Sequence, residues 1–251
     1  MQTATRYRGD YLTVKEALEE LTGREPVEIE RDIYEISPLA GPARYDRIAP
    51  LYDAVLSTKL YNLAMWKTTP AAYRAFATRA FESRTSGTHV EIGCGSLLFT
   101  SHLYERDRGR PSILIDPSIE MLRRARSRLE KRSGSFPRHV VLARGDARTL
   151  DVPRGTATTV LSAFVMHVLD DPIPLLRSLS NVAQPSDSTI GVSSIFKSGG
   201  RSNVALWLLH ATGELGPPRT LATIEQMMRA EIPGDLQVDV SGSVALMRVR
   251  R

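Results

Sequence analysis

Cysteine is almost missing from this 251-residue chain: Cys94 stands alone. A single thiol excludes an intrachain disulfide and any metal site built on clustered cysteines, and it suits a reducing, cytoplasmic setting. Long apolar runs are missing as well. The best candidate, VLSAFVMHVL at 160–169, is flanked by Asp170 and Asp171 and falls well short of the ~18 residues of a membrane-spanning helix. The first twenty residues are charged throughout and lack the apolar core of a signal peptide. Glycine (17) and proline (15) are not enriched, and no repeat or low-complexity tract occurs, which excludes a fibrous chain. No single sign of charge dominates either. The balance of 33 basic against 28 acidic residues leaves +5, too little to name an anionic partner. What is present is the composition of an ordinary folded domain, 42% hydrophobic and 24% charged, long enough for one large domain with an added cap.

The organisation is uneven. Val14, Ala17, Leu18 and Leu21 recur at helical spacing, and a stretch rich in Tyr, Ala and Leu at 45–83 breaks only near Pro70. Residues 1–85 are therefore predicted to be an N-terminal helical cap without strands. From residue 86 the pattern changes. Short apolar runs at 89–92, 112–115, 139–142, 158–163, 189–193, 236–240 and 244–249 are mostly separated by helical patterns. The expected fold is α/β and Rossmann-like: seven strands, mainly parallel, with helices on both faces. The last two runs have only Ser241–Gly242–Ser243 between them and should form a C-terminal antiparallel hairpin. Residues 196–220 interrupt the alternation as an insertion on the substrate side.

The chemistry concentrates where strands end. HVEIGCGS (89–96) is a strand closing in Glu91, then Gly93, Cys94 and Gly95, and then a helix. Glycines permit the tight turn and a close ligand approach, and a helix N-terminus favours negative charge. The next strand ends in Asp116, placed to accept both ribose hydroxyls of a nucleoside. The third leads into Gly145–Asp146–Ala147, whose acid can accept from an adenine amino group. Each alone has a plain alternative: Asp116 as a cap for the helix opened by Pro117, Asp146 as a turn residue. Three acids at three successive strand tips form a crevice where such sheets bind ligands. His167 in FVMHVLD is either a general base or a packed histidine. A nicotinamide oxidoreductase fits poorly, since Gly-x-Gly-x-x-Gly would require glycine at Leu98.

Taken together, VEIGCGS, LIDPSIEMLRRAR, ARGDARTLDVP and SAFVMHVLDDP resemble, in order and spacing, the class I S-adenosylmethionine-dependent methyltransferases. The branch most similar includes the ubiquinone/menaquinone-biosynthesis enzymes and many small-molecule methyltransferases. The resemblance is strong over 86–195 and looser over YDRIAPLYDAV (45–55) and Trp66. It implies S-adenosylmethionine (SAM) as cofactor and methyl transfer by in-line displacement to a small, largely apolar molecule. Glu91, Gly93, Cys94 and Gly95 would hold its methionine part, with Ser162 lining that side. Asp116 would bind the ribose, Pro117 and Met121 would lie near the adenine, and Asp146 and Ala147 would read its edge. Tyr52 and Trp66 would close over the cofactor, and Tyr45 and Trp207 would reach the acceptor. In this sequence Leu97 replaces the family's usual third glycine.

No metal is expected, because the strand tip that would complete a site with Asp170 and Asp171 carries Ser162 and Ala163. Nucleic acid is not the expected partner, since Arg123, Arg124, Arg126 and Arg128 lie opposite the apolar face of their helix. A homodimer is compatible with the apolar stretch around Trp207. An RNA-directed methyltransferase and a methyltransferase fold kept as a binding protein stay open as alternatives.

Overall fold

Alternating side chains on buried strands supply two apolar faces, and the chain covers both. The computed structural model describes residues 13–23, 25–37, 53, 56–84, 86–105, 110–146 and 155–251. The strands are β1 (Val27–Glu30), β2 (Ile33–Glu35), β3 (Thr88–Ile92), β4 (Ser112–Asp116), β5 (Val140–Arg144), β6 (Ala157–Ala163), β7 (Thr189–Ile195), β8 (Asp235–Ser241) and β9 (Val244–Arg250). They form one sheet in the order β1-β2-β5-β4-β3-β6-β7-β9-β8. Pairing is parallel from β2 to β7 and antiparallel at β1–β2, β7–β9 and β8–β9. The seven predicted strands all form, and the last two pair as the predicted hairpin.

The helices are α1 (Val14–Thr22), α2 (Lys59–Trp66), α3 (Pro70–Phe81), α4 (Ile119–Ser133), α5 (Ile173–Val182), α6 (Arg201–Ala211) and α7 (Leu221–Glu231). On one face Val90, Ile113, Ile115 and Val141 meet Leu18 and Leu21 of α1, while Val160, Ile190 and Val192 share that core with Leu176 of α5 and Met228 of α7. On the other face Leu114, Leu142 and Leu161 pack with Phe76 of α3, Leu122 and Leu129 of α4 and Leu206 of α6. Each fully buried leucine contributes about 1.5–3 kcal/mol. Local signals agree with this packing. In α4, Ser118 accepts the Met121 N–H at 3.2 Å, and Gly134 takes a left-handed φ of 78° at the end.

The N-terminal part departs from the expectation of a purely helical cap. β1 and β2 make a hairpin that continues the sheet beside β5, so the sheet has nine strands rather than seven. Its turn is only Arg31–Asp32, with Asp32 at φ 63°, a conformation that Asp tolerates better than most residues. Outward-facing Val27 and Ile29 are exposed, so VEIE does not read as a strand over a core. α1 and α3 lie directly on the sheet. Among the described residues, no helix is long and apolar enough to cross a membrane.

Candidate functional site

The parallel strands all point their carboxyl ends to one edge, where the described residues that follow β3, β4, β5 and β6 lie. The glycine-rich turn is tied to β4: Gly93 and Cys94 donate their N–H groups to the Ile115 carbonyl at 2.8 and 3.0 Å. Asp116, at the tip of β4, accepts the Gly95 N–H on Oδ2 (2.8 Å) and the Ser118 N–H on Oδ1 (2.9 Å). It thus organises the start of α4, as a capping role would require, and also grips the glycine turn. Gly93 has φ 70°, and a Cβ there would come within 2.2 Å of Val165 Cγ2, so the turn and the loop after β6 leave no room for a side chain. Gly95 (φ 53°) is the opposite case: among the described residues a Cβ there would meet nothing within 4 Å, which leaves open space beside it.

Leu97 keeps the left-handed backbone (φ 57°) that a third glycine would supply. That costs a leucine about 1–2 kcal/mol, which its fully buried side chain offsets. Ser96 beside it bonds to Asp53 and Arg128.

Below the turn, Glu91 is buried and accepts from Thr100 Oγ1 (3.0 Å) and Tyr104 Oη (2.5 Å). Burial first, and the charge of Asp116 in addition, push its carboxyl up to about 7 against the pull of those two hydroxyls. Burial likewise pushes the Cys94 thiol far up, and the neighbouring Asp116 and Glu91 add to this. A thiol held protonated is no nucleophile.

The fit of this crevice to SAM rests on three features. The open space at Gly95 lets a ligand approach the backbone. Asp116 carries a carboxylate with about four acceptor sites, a group that could serve ligand hydroxyls beside two N–H groups. Ser162 Oγ, at the tip of β6, is buried and has no partner among the described residues. Pro117 and the buried Met121 flank Asp116. Asp146 follows β5 and donates its N–H to Ser37 Oγ, beyond β2, at 3.3 Å. Ala147, Tyr45 and Tyr52 lie outside the described residues.

The remaining sequence-predicted residues lie along the same edge. Trp66 is buried at the end of α2, where its carbonyl accepts the Ser243 N–H of the β8–β9 turn at 2.8 Å. β9 is three strands from β3, roughly 14 Å along the sheet. His167 is buried, and its Nδ1 accepts the Ile195 N–H at 3.4 Å. Burial, with Arg219 nearby, lowers its pKa to about 3, so it is neutral and a weak base. Trp207 is 55% exposed on the outer side of α6, stacked edge-on against His210.

Sequence reasoning missed an aromatic group beside the crevice. Tyr73 of α3 meets Phe99 (ring centroids 5.0 Å) and Phe164 (4.4 Å), and Phe164 in turn meets His167 (6.1 Å). Phe164 has φ 64°, unusual for a bulky residue, and its N–H is held by Ser193. Such strain is found at functional sites. The arginines of α4 are also spoken for: Arg123 pairs with Glu30 and Glu120, Arg128 with Asp53, and Arg132 with Glu105.

Residues 90–189 match the family model described as a methyltransferase domain. No curated protein matches this chain. Among solved structures, a SAM-dependent methyltransferase from Thermotoga maritima is 15% identical, with TM-score 0.59, covering 82% of this chain and 97% of its own. A SAM-dependent methyltransferase from Aquifex aeolicus is 16% identical (TM-score 0.55; 80% and 97% covered). The geranyl diphosphate C-methyltransferase of Streptomyces coelicolor, solved with S-adenosyl-L-homocysteine, is 12% identical (TM-score 0.55; 71% and 74% covered). Residues 90–189 thus match a methyltransferase domain, and the chain shares the Rossmann-like fold of SAM-dependent methyltransferases, with acids at or just beyond the tips of β3, β4 and β5.

Proposed function

We propose that the protein is an active enzyme that transfers a methyl group from SAM to a small, largely apolar acceptor in the cytoplasm. The observation that carries this reading is the Tyr73–Phe99–Phe164 group beside the cofactor turn, an apolar wall of the kind that lines small-molecule sites. When bound, SAM supplies a methyl group on a positively charged sulfur. The chain's own task is to hold that group in line with the acceptor, and positioning of this kind can supply about 7–11 kcal/mol. Asp116 anchors the ribose, Gly95 leaves room for the methionine part, and Ser162 Oγ offers it a hydrogen bond. Asp146 reads the adenine. Glu91 supports the turn from below.

His167 serves here as part of the acceptor wall rather than as a base, because a group with a pKa of about 3 takes a proton poorly at neutral pH. The return from α6 borders the same wall: Gly216 donates its N–H to the His167 carbonyl at 3.0 Å, and Arg219 donates to the Leu169 and Asp170 carbonyls. Trp66 closes the acceptor side from α2. Trp207 belongs to the rim, where with Val204 and Leu208 it offers the exposed face on which a homodimer would form.

Turnover of SAM to S-adenosylhomocysteine across a panel of phenols, amines and prenylated or polyketide-like acceptors tests the proposal. With the acceptor so found, Phe164→Ala should lower turnover at least tenfold while SAM affinity stays within about twofold, and Trp207→Ala should change both by less than twofold. Equal losses in turnover and SAM affinity for Phe164→Ala would contradict the assignment. No turnover on any acceptor by a protein that binds SAM would favour a binding protein.

A further inference from the structure

We propose that Asp53 is a positioning residue for the cofactor turn, acting through Ser96 and Arg128. The inference rests on the reading of this turn as the SAM cradle. Its carboxylate sits where the N-terminal part of the chain, the glycine turn and α4 meet. Oδ1 accepts a 2.5 Å bond from the hydroxyl of Ser96, the residue after Gly95. Oδ2 accepts from Arg128 Nη2 at 2.8 Å, with Arg124 Nη1 3.8 Å away. Arg128 Nη1 closes the ring by donating to the Ser96 carbonyl and, at 2.9 Å, to the Ser96 hydroxyl oxygen. The Asp53 and Arg128 side chains are mostly covered, at 12% and 25% exposed, so solvent screens the pair less than an open surface bridge.

This ring acts on a specific stretch of backbone. Ser96 stands between Gly95 and Leu97, both with left-handed φ. The upstream half of the turn is held by Ile115 and Asp116. Ser96 is where side chains from outside the turn grip its downstream half. A non-glycine residue in the left-handed region persists only when its surroundings over-determine it. Charge-assisted bonds to both the hydroxyl and the carbonyl of Ser96 do that, because they fix the orientation of the peptide that leads into Leu97. Releasing them frees the turn to relax away from the shape that opens the space above Gly95. Asp53 therefore preorganises a cradle that it does not itself line.

The test is calorimetry with S-adenosylhomocysteine on the full chain, paired with thermal unfolding without ligand. Wild type, Asp53→Ala, Asp53→Asn, Ser96→Ala and the Asp53→Ala/Ser96→Ala double variant are compared. Each alanine variant should weaken binding about tenfold, and the double variant hardly more than either, because both break the same ring. Asp53→Asn, which keeps an acceptor for Ser96 but loses the charge facing Arg128, should fall between. The ligand-free Tm of Ser96→Ala should stay within about 2 °C of wild type. Affinities within twofold of wild type would overturn the proposal, as would single effects that multiply in the double variant. So would losses of affinity that simply follow losses of Tm. A wild type that binds no S-adenosylhomocysteine overturns the cradle reading itself, and the proposal with it.

Discussion

Asp116→Ala is expected to weaken SAM binding at least tenfold while leaving the protein folded. The carboxylate would accept both ribose hydroxyls, and charge-assisted bonds of this kind contribute roughly 1.5–3 kcal/mol. The structure adds a second route to the same loss. Oδ2 holds the Gly95 N–H and Oδ1 the Ser118 N–H, so alanine also removes one tie between the glycine turn and β4, leaving those of Gly93 and Cys94 to Ile115. The fold survives because Asp116 ends its strand, whereas Ile113, Leu114 and Ile115 carry the burial. Asp116→Asn separates the two routes. It retains one oxygen acceptor, and its loss should be smaller than that of alanine. Calorimetry reads the affinity and thermal unfolding reads the fold. A folded alanine variant with unchanged affinity would refute the ribose role.

Glu91→Gln is expected to stabilise the protein at pH 8 and to lose that advantage toward pH 5. Unfolded, this carboxyl titrates near 4.5, whereas in the fold burial raises it to about 7. Between those values the folded state holds a proton that the unfolded state has released. Stability therefore falls as pH rises from about 4.5 to about 7, by on the order of 3 kcal/mol, and the loss is complete above 7. Glutamine keeps an acceptor for Tyr104 or Thr100 and removes the charge. The buried histidines act in the opposite sense. His89 is held well below its usual value and His167 at about 3, both chiefly by burial, so the stability tied to their neutrality is present above pH 6.5 and lost as pH falls below it. Urea unfolding of wild type and Glu91→Gln from pH 5 to 8 checks this. A difference between the two that does not change with pH would contradict the assignment.

The parts of the fold legible in the sequence were those with a local signature. β3 to β7 are apolar runs buried on both faces, and α4 carries its apolar stripe, its Ser118 cap and Gly134 in plain view. The acids at the tips of β4 and β5 follow from the same alternation. β1 and β2 escaped notice because β1 sets charged side chains beside exposed Val27 and Ile29, and β2, with buried Ile33 and Tyr34, is only three residues long and too short to show alternation. The conformations of Leu97 and Phe164 could not be read either. Neither is a glycine, and each is held in the left-handed region by packing and bonds that come from elsewhere in the chain. The Asp53–Ser96–Arg128 ring joins residues 43 and 75 positions from Asp53. Contacts at that separation leave no periodic trace. Tyr73, Phe99 and Phe164 likewise converge only once α3 lies across β6 and β7.

Titration of the purified wild-type chain with SAM and with S-adenosylhomocysteine, followed by calorimetry, bears most directly on the central claim. One site with micromolar affinity for both is predicted, accompanied by a rise in Tm that grows with ligand concentration. A folded protein that shows neither heat of binding nor a Tm shift at millimolar ligand would contradict it.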